Sequence, residues 1–169
     1  MKSFQEIYNE EIAYVWSCLR RLGVDEKNLE DKAHDVFIIF YKRRKDFDEA
    51  RPVRPWLCGI AARVALDHNR LAYKRREVLS DRIVMDTVIP NPEAAMERQD
   101  ARRRLLAALD ALDVDRRTVF VLHDLEGRSI PEIAAIVDAP MNTLYSRLRL
   151  ARQRMTSLLR REPSKRCGS

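Results

Sequence analysis

The chain has 169 residues, 46% hydrophobic and 34% charged, so it should fold and dissolve, as one ordinary domain or two small ones. Only 4 glycines and 7% aromatics argue against a strand-and-turn fold, whereas abundant Arg, Leu and Ala favour an all-α one. The formal net charge of +6 suits a polyanionic partner without requiring one.

Phe4, Ile7, Tyr8, Glu11, Ile12 and Val15 recur at helical spacing, with Glu11 the one polar member. They predict a helix from Phe4 to Leu22 that stops at Gly23. The next helix is expected from Leu29 to Arg44. A third is expected from Pro55 to Arg76, opened by Pro52 and Pro55. From Ser80 to Asn91 the helical period is lost, Pro90 and Pro92 punctuate the chain, and acids outnumber bases between Asp81 and Asp100. That stretch is long for a loop inside one compact domain, so it reads as a linker between two. Helical pattern resumes near Ala94 and continues to Leu112, breaks over 113–115, and resumes from Arg116 to Leu125. After Glu126-Gly127 come two further helices, Ser129 to Val137 and Met141 to Arg161. The expected organisation is therefore an N-terminal helical domain over 1–79, a linker over 80–97, a C-terminal helical domain over 98–161 and a disordered tail over 162–169.

The run SIPEIAAIVDAPMNTLYSRLRLARQRM, Ser129 to Met155, is the strongest local signal. Ser129 can cap a helix whose first turn holds Pro131 and Glu132. Ile130, Ile133, Ala134 and Val137 form its inner face, and Asp138-Ala139-Pro140 breaks it before a second helix, which is the layout of a helix-turn-helix. On the second helix Leu144, Leu148, Ala151, Met155 and Leu158 fall on one side at 100° per residue. Opposite them stand Asn142, Ser146, Arg149 and Gln153, with Tyr145 alongside, side chains able to hydrogen-bond base edges. Arg147, Arg152 and Arg154 sit on the shoulders, where phosphates would lie, and no acid occurs from Met141 to Arg161.

In the second helix Leu29, Ala33, Val36 and Phe40 share a face, with Phe37 beside them. Ile38 points the other way, among Asp31, Asp35 and Lys42, and Ile39 also falls off the core stripe. An apolar side chain set among charges suggests a protein partner. The third helix directs Trp56, Ile60, Val64 and Leu71 mostly inward. It leaves Arg63, His68, Arg70, Lys74, Arg75 and Arg76 as a basic surface whose main acid is Asp67.

Together these segments resemble the extracytoplasmic-function (ECF) group of bacterial sigma factors, over about Phe4 to Met155. DKAHDVFIIFYKRRKDF is similar to the family's region 2.2, and PWLCGIAARVALDHNR to regions 2.3 and 2.4. ALDALDVDRRTVFVLHDLEGRSIPEIAAIVDAPMNTLYSRLRLAR is similar to region 4, entered through NPEAAMERQD. The resemblance implies two helical domains that dock on core RNA polymerase and read a promoter. Region 2.2 would place Asp31, His34, Asp35 and Ile38 on the clamp of the largest subunit. Regions 2.3 and 2.4, with the loop from Asp46 to Pro55, would read and open the minus-10 element through Trp56, Arg63, His68, Asn69, Arg70, Lys74 and Arg75. Region 4 would touch the polymerase flap and read the minus-35 element through Asn142, Tyr145, Ser146 and Arg149. Thr143, Arg147 and Arg152 would hold phosphates there, and His123 would add a backbone contact. An anti-sigma factor, by which the family is often held inactive, is the further partner implied. The chain departs from the family where His34 replaces Gln, Arg63 replaces Asn, and Asp138 and Asn142 each replace a usual Gly. Asp and Asn tolerate left-handed backbone best among non-glycine residues, so the turn can survive.

A stand-alone helix-turn-helix repressor or activator, dimeric on a palindrome, is the alternative; co-purification with core polymerase separates the two. An enzyme is not expected: there is no Gly-rich phosphate loop, and none of the three His pairs with a nucleophile. No cofactor is expected. Cys18, Cys58 and Cys167 are far apart and form no CxxC pair, so neither a disulfide framework nor a zinc site is expected. The polar, acidic N-terminus is unlike a signal peptide and no apolar run approaches a membrane span, so a cytoplasmic protein without membrane insertion is expected.

Overall fold

The computed structural model describes the backbone of residues 2–78 and 93–160 and the side chains of residues 2–75 and 98–160. Most of the expected linker and the expected tail lie outside the described residues. The order is α1 (Phe4–Arg21), α2 (Glu26–Lys42), a 3-10 turn (Arg44–Asp46), α3 (Val53–Val78), α4 (Glu93–Asp110), α5 (Val114–Phe120), a π-helical turn (Val121–Leu125), α6 (Ile130–Val137) and α7 (Met141–Arg160). No strand occurs among the described residues.

Local chemistry sets most boundaries. Ser3 and Glu6 form a capping box at the start of α1, an arrangement in which each side chain satisfies an orphan backbone N–H of the other residue. Gly23, at φ 100°, ends the helix in a conformation that side chains avoid. A Cβ there would also meet Asn69 Nδ2 at 3.1 Å and the Arg117 guanidinium at 3.3 Å. α2 begins at Glu26, three residues before the expected start, because its first turn is polar and carries no apolar period. Asp113 caps α5 by accepting from Arg116 N at 2.9 Å, so the expected break at 113–115 narrows to this cap. α4 begins at Glu93, inside the stretch read as linker.

α1, α2 and α3 pack on one another, and α7 packs on α4, α5 and α6. Phe40, Leu19, Leu22 and Leu57 are fully buried in the first group, and Leu109, Leu122, Ile133 and Leu144 in the second. Glu11 is buried on α1 because Arg54 donates to its carboxylate at 2.7 Å from the start of α3. Two expectations about faces are corrected. Ile39 is half-buried against the core rather than off it, and Leu71 is 59% exposed rather than inward. α3, at 26 residues, outruns the 18-residue α1, and Leu71 lies beyond Asn69, whose side chain meets the end of α1 at the Leu22 carbonyl.

Candidate nucleic-acid interface

α6, the turn and α7 form the helix-turn-helix. Ser129 accepts from Glu132 N at 3.3 Å and donates its own backbone N–H to the Glu132 carboxylate at 3.0 Å, closing a second capping box. Asp138 takes the left-handed conformation, φ 53°, that ends α6. Asn142 lies in α7 with ordinary helical backbone, so the allowance for a left-handed residue is needed at Asp138 alone of the two.

Leu144, Leu148, Ala151 and Met155 are buried and fix the rotation of α7, with Leu158 half-buried beyond them. Asn142, Tyr145, Ser146, Arg149 and Gln153 consequently face outward, and Tyr145 is 54% exposed. An open groove runs along this face, lined by Tyr145, Ser146, Arg149, Arg152 and Gln153. α7 carries five arginines and no carboxylate. The face can therefore present donors to base edges while its flanks hold positive charge.

The shoulders carry carboxylates that periodicity alone does not mark. Arg152 donates to Asp124 at 2.6 and 2.9 Å, and His123 Nδ1 lies 2.8 Å from the same carboxylate. Arg152 thus joins the preceding helical segment at the position where His123 was expected to assist. Its two hydrogen bonds hold the Asp124 carboxyl below the usual carboxylate range; partial burial opposes this, and His123 adds to it. Arg147, half-buried, lies 3.7 Å from Asp115, and Thr143 is half-buried beside it in the first turn.

α3 presents Arg63, Arg70, Lys74 and Arg75 to solvent. The other candidates on this helix are engaged inside the fold. His68 Nε2 lies 3.4 Å from Asp25, and Asn69 Nδ2 donates to the Leu22 carbonyl at 2.9 Å. Trp56 is half-buried, stacked on Phe47 at 4.8 Å and edge-on to Phe40 at 5.6 Å. On α2, Asp31, His34 and Ile38 are exposed, Ile38 by 51%, while Asp35 is half-buried beside Lys32 at 3.2 Å. Ile38 and His34 border an apolar groove floored by Phe4, Tyr8 and Phe37.

The two helical groups meet along α3, α5 and α6. Arg117, 6% exposed, reaches from α5 to the C-terminal end of α1, donating to the Arg21 carbonyl at 2.7 Å and the Arg20 carbonyl at 3.1 Å. It also donates to Asp110 at 2.7 Å. Such carbonyls have no partner within their own helix, and a cation complements the helix dipole there. Burial pulls the guanidinium below its ordinary range and Asp110 pulls it back. Arg70 of α3 lies 3.4 Å from Asp115, the carboxylate that also faces Arg147 of α7. Cys18 and Cys58, 40 residues apart in the chain, are free thiols whose Sγ atoms lie 3.7 Å apart in the core. Sequence spacing could not show this, because two helices that pack bring distant residues together.

Comparison with known proteins places the chain among relatives. The family model for sigma-70 region 2 matches residues 7–76, and that for sigma-70 region 4 matches residues 102–155. The RNA polymerase sigma factor CnrH of Cupriavidus metallidurans is 31% identical over 153 residues, covering 83% of this chain and 78% of the relative. The ECF RNA polymerase sigma-E factor of Escherichia coli is 29% identical over 140 residues, covering 77% and 73%. Among solved structures, the sigma factor RpoE of Bartonella quintana in complex with the anti-sigma factor NepR superposes with a TM-score of 0.67. It is 22% identical, over 96% of this chain and all of that one, a likeness of fold.

Proposed function

Because this chain belongs to the sigma-70 family of RNA polymerase sigma factors, in its extracytoplasmic-function group, we propose that it binds core RNA polymerase in the cytoplasm and directs it to a set of promoters. The observation that carries the reading is the acid-free outer face of α7, presented by a capped helix-turn-helix with its base-reading side chains exposed. Asn142, Tyr145, Ser146 and Arg149 read the minus-35 element, and Thr143, Arg147, Arg152 and His123 hold its backbone. The basic end of α3 meets the minus-10 element through Arg63, Arg70, Lys74 and Arg75. Trp56, His68 and Asn69 shape that helix from inside. Asp31, His34, Asp35 and Ile38 dock on the polymerase clamp, and an anti-sigma factor competes for these surfaces. The protein performs no chemistry of its own; the polymerase does.

Promoter geometry demands a change in the arrangement described above. The two elements stand ~25 base pairs apart, ~85 Å at 3.4 Å per step. A compact chain of 169 residues has a radius of gyration of only about 15 Å. Here Asp115 faces both Arg70 and Arg147, at 3.4 and 3.7 Å, so α3 and α7 converge on one carboxylate. The modules therefore part before both elements are read at once.

Run-off transcription with purified core polymerase tests the reading. Transcripts should require the protein, and their start sites should share two upstream motifs. Binding to a palindromic site without core polymerase, and no transcripts with it, would refute it.

A further inference from the structure

Among the described residues, Cys18, Cys58 and Glu126 form a cluster of reactive side chains outside the DNA-facing surfaces, where the modules meet. Cys18 on α1 and Cys58 on α3 are 0% and 1% exposed, and the Cys18 thiol donates to Cys58 Sγ across 3.7 Å. Glu126, from the loop after the π-helical turn, lies over them: both sulfurs and a carboxylate oxygen fall within 4.8 Å of one another. Tyr14 donates to Glu126 Oε2 at 2.8 Å, while Oε1 forms an ion pair with Arg21 without an aligned hydrogen bond. Arg128, whose buried Nε has no hydrogen-bond partner and lies 3.9 Å from Glu132, brings its guanidinium beside Gly59, the residue after Cys58. Cys18, Cys58, Tyr14 and Arg21 belong to the N-terminal module; Glu126 and Arg128 belong to the other.

We propose that Cys18 and Cys58 are a dithiol modification site, converted by hydrogen peroxide to an intramolecular disulfide when the C-terminal module lifts away. One thiolate attacks the peroxide, forming an S–O bond as the O–O bond breaks, and the departing hydroxide is protonated to water. The second sulfur then attacks the sulfenic acid; the S–S bond forms, the S–O bond breaks, and a second water leaves. Two thiols lose two electrons and two protons, and the peroxide gains them. The sulfurs must close by ~1.6 Å to reach the ~2.05 Å of a disulfide.

Docking restrains this reaction in two ways. It excludes water and peroxide from both sulfurs. It also sets the Glu126 carboxylate against them, which disfavours the thiolate that must attack. Within the pair the hydrogen bond from Cys18 lowers the Cys58 thiol and raises the Cys18 thiol. Separation removes Glu126 together with Arg128 but leaves Arg21 on α1 with no carboxylate partner there, and a lone cation favours the thiolate. A metal is a poorer occupant: among the described residues three ligands converge, and Arg21 already neutralises the carboxylate.

The test uses the full chain carrying Cys167→Ser, so that only two thiols count, exposed to hydrogen peroxide and read by peptide mapping. The expected product joins the Cys18 and Cys58 peptides with a loss of two hydrogens. Arg117→Ala, which loosens docking, should speed its formation tenfold or more. Glu126→Gln, which removes the charge and keeps an acceptor for Tyr14, should speed it severalfold. The Gln variant decides the gating if circular dichroism shows the Ala variant unfolded. Sulfinic acid at one cysteine without the cross-link overturns the proposal, and so does stoichiometric zinc that shields both thiols from alkylation. Equal rates in the parent and in every folded variant overturn the gating.

Discussion

Replacing Arg117 by alanine removes the charge that ties α5 to the end of α1. Three hydrogen bonds are lost, to the Arg21 and Arg20 carbonyls and to Asp110. A charged hydrogen bond is worth about 1.5–3 kcal/mol, and removing one partner of a buried pair costs about 3–5 kcal/mol. Two effects reduce the sum here. The bond to Asp110 joins α5 to α4 within one module and does not contribute to docking, and the cost of burying the guanidinium disappears with the side chain. A loss of about 3 kcal/mol in docking remains, roughly 150-fold in the equilibrium between joined and parted modules. Arg117→Lys should not restore it, because one ammonium cannot reproduce a planar fork aimed at two carbonyls and a carboxylate. Small-angle scattering of the free protein is the assay. The variant should gain several ångströms in radius of gyration while circular dichroism at low temperature shows unchanged helix. Unchanged scattering with an unchanged melting temperature would show that docking does not depend on Arg117.

Ile38→Glu should weaken core polymerase binding about 30-fold, the equivalent of ~2 kcal/mol for a buried interface contact, and leave the melting curve unchanged because Ile38 is 51% exposed; early unfolding would mark it as core. Arg149→Ala should cost ~1–3 kcal/mol and relax preference at one base position in a selection from randomised minus-35 DNA. Arg152→Ala should weaken all sequences and lower the salt slope by about 1; the reverse pattern would mean α7 is rotated from its described phase. Asp138→Gly should raise stability by about 0.5–1 kcal/mol, read as a higher melting temperature, since φ 53° costs glycine nothing. Asp124 has a depressed pKa, so its contribution is present above the ordinary carboxylate value of ~3.9 and is lost as pH falls through the lower folded value. An acid titration of melting temperature should show that loss below about pH 4, and Arg152→Ala should diminish it.

The helices were legible where apolar residues repeat over several turns. α1 and α7 begin at their expected residues and end within one of them, and the buried faces of α2 and α7 follow the 3.6-residue period. The exposed face of α7 was legible for the same reason: once Leu144, Leu148 and Ala151 are committed inward, Asn142, Ser146 and Arg149 have nowhere else to point. What escaped is what depends on distant partners. Arg117 stands in the run Asp115-Arg116-Arg117, which looks like a solvated turn of helix, yet two of its three acceptors lie 96 and 97 residues away. His68 read as part of a basic surface and Asn69 as a minus-10 contact, while in the fold His68 lies 3.4 Å from Asp25 and Asn69 donates to the Leu22 carbonyl. Leu71 kept the period of a core face beyond the point where the other helices end.

The joined arrangement places different kinds of interaction in different places. Arg70, Arg147 and Arg152 all face carboxylates, but each pair is at least partly exposed, and such pairs are worth only about 0–1 kcal/mol each. DNA phosphates can take the places of Asp115 and Asp124 at little cost, since each arginine exchanges one oxyanion for another. The more buried contacts between the modules lie elsewhere, in the fork of Arg117, in the pairing of Tyr14 and Arg21 with Glu126, and in the approach of Ile136 to Gly59, where a Cβ would sit 3.6 Å away. None of those residues is on a DNA-reading face. The docking strength can therefore change without altering promoter preference, and promoter preference can change without altering docking. An agent that parts the modules, whether polymerase or another protein, has to act on the Arg117 fork and the surface around Glu126, and competing for the DNA-facing arginines alone would leave the modules joined.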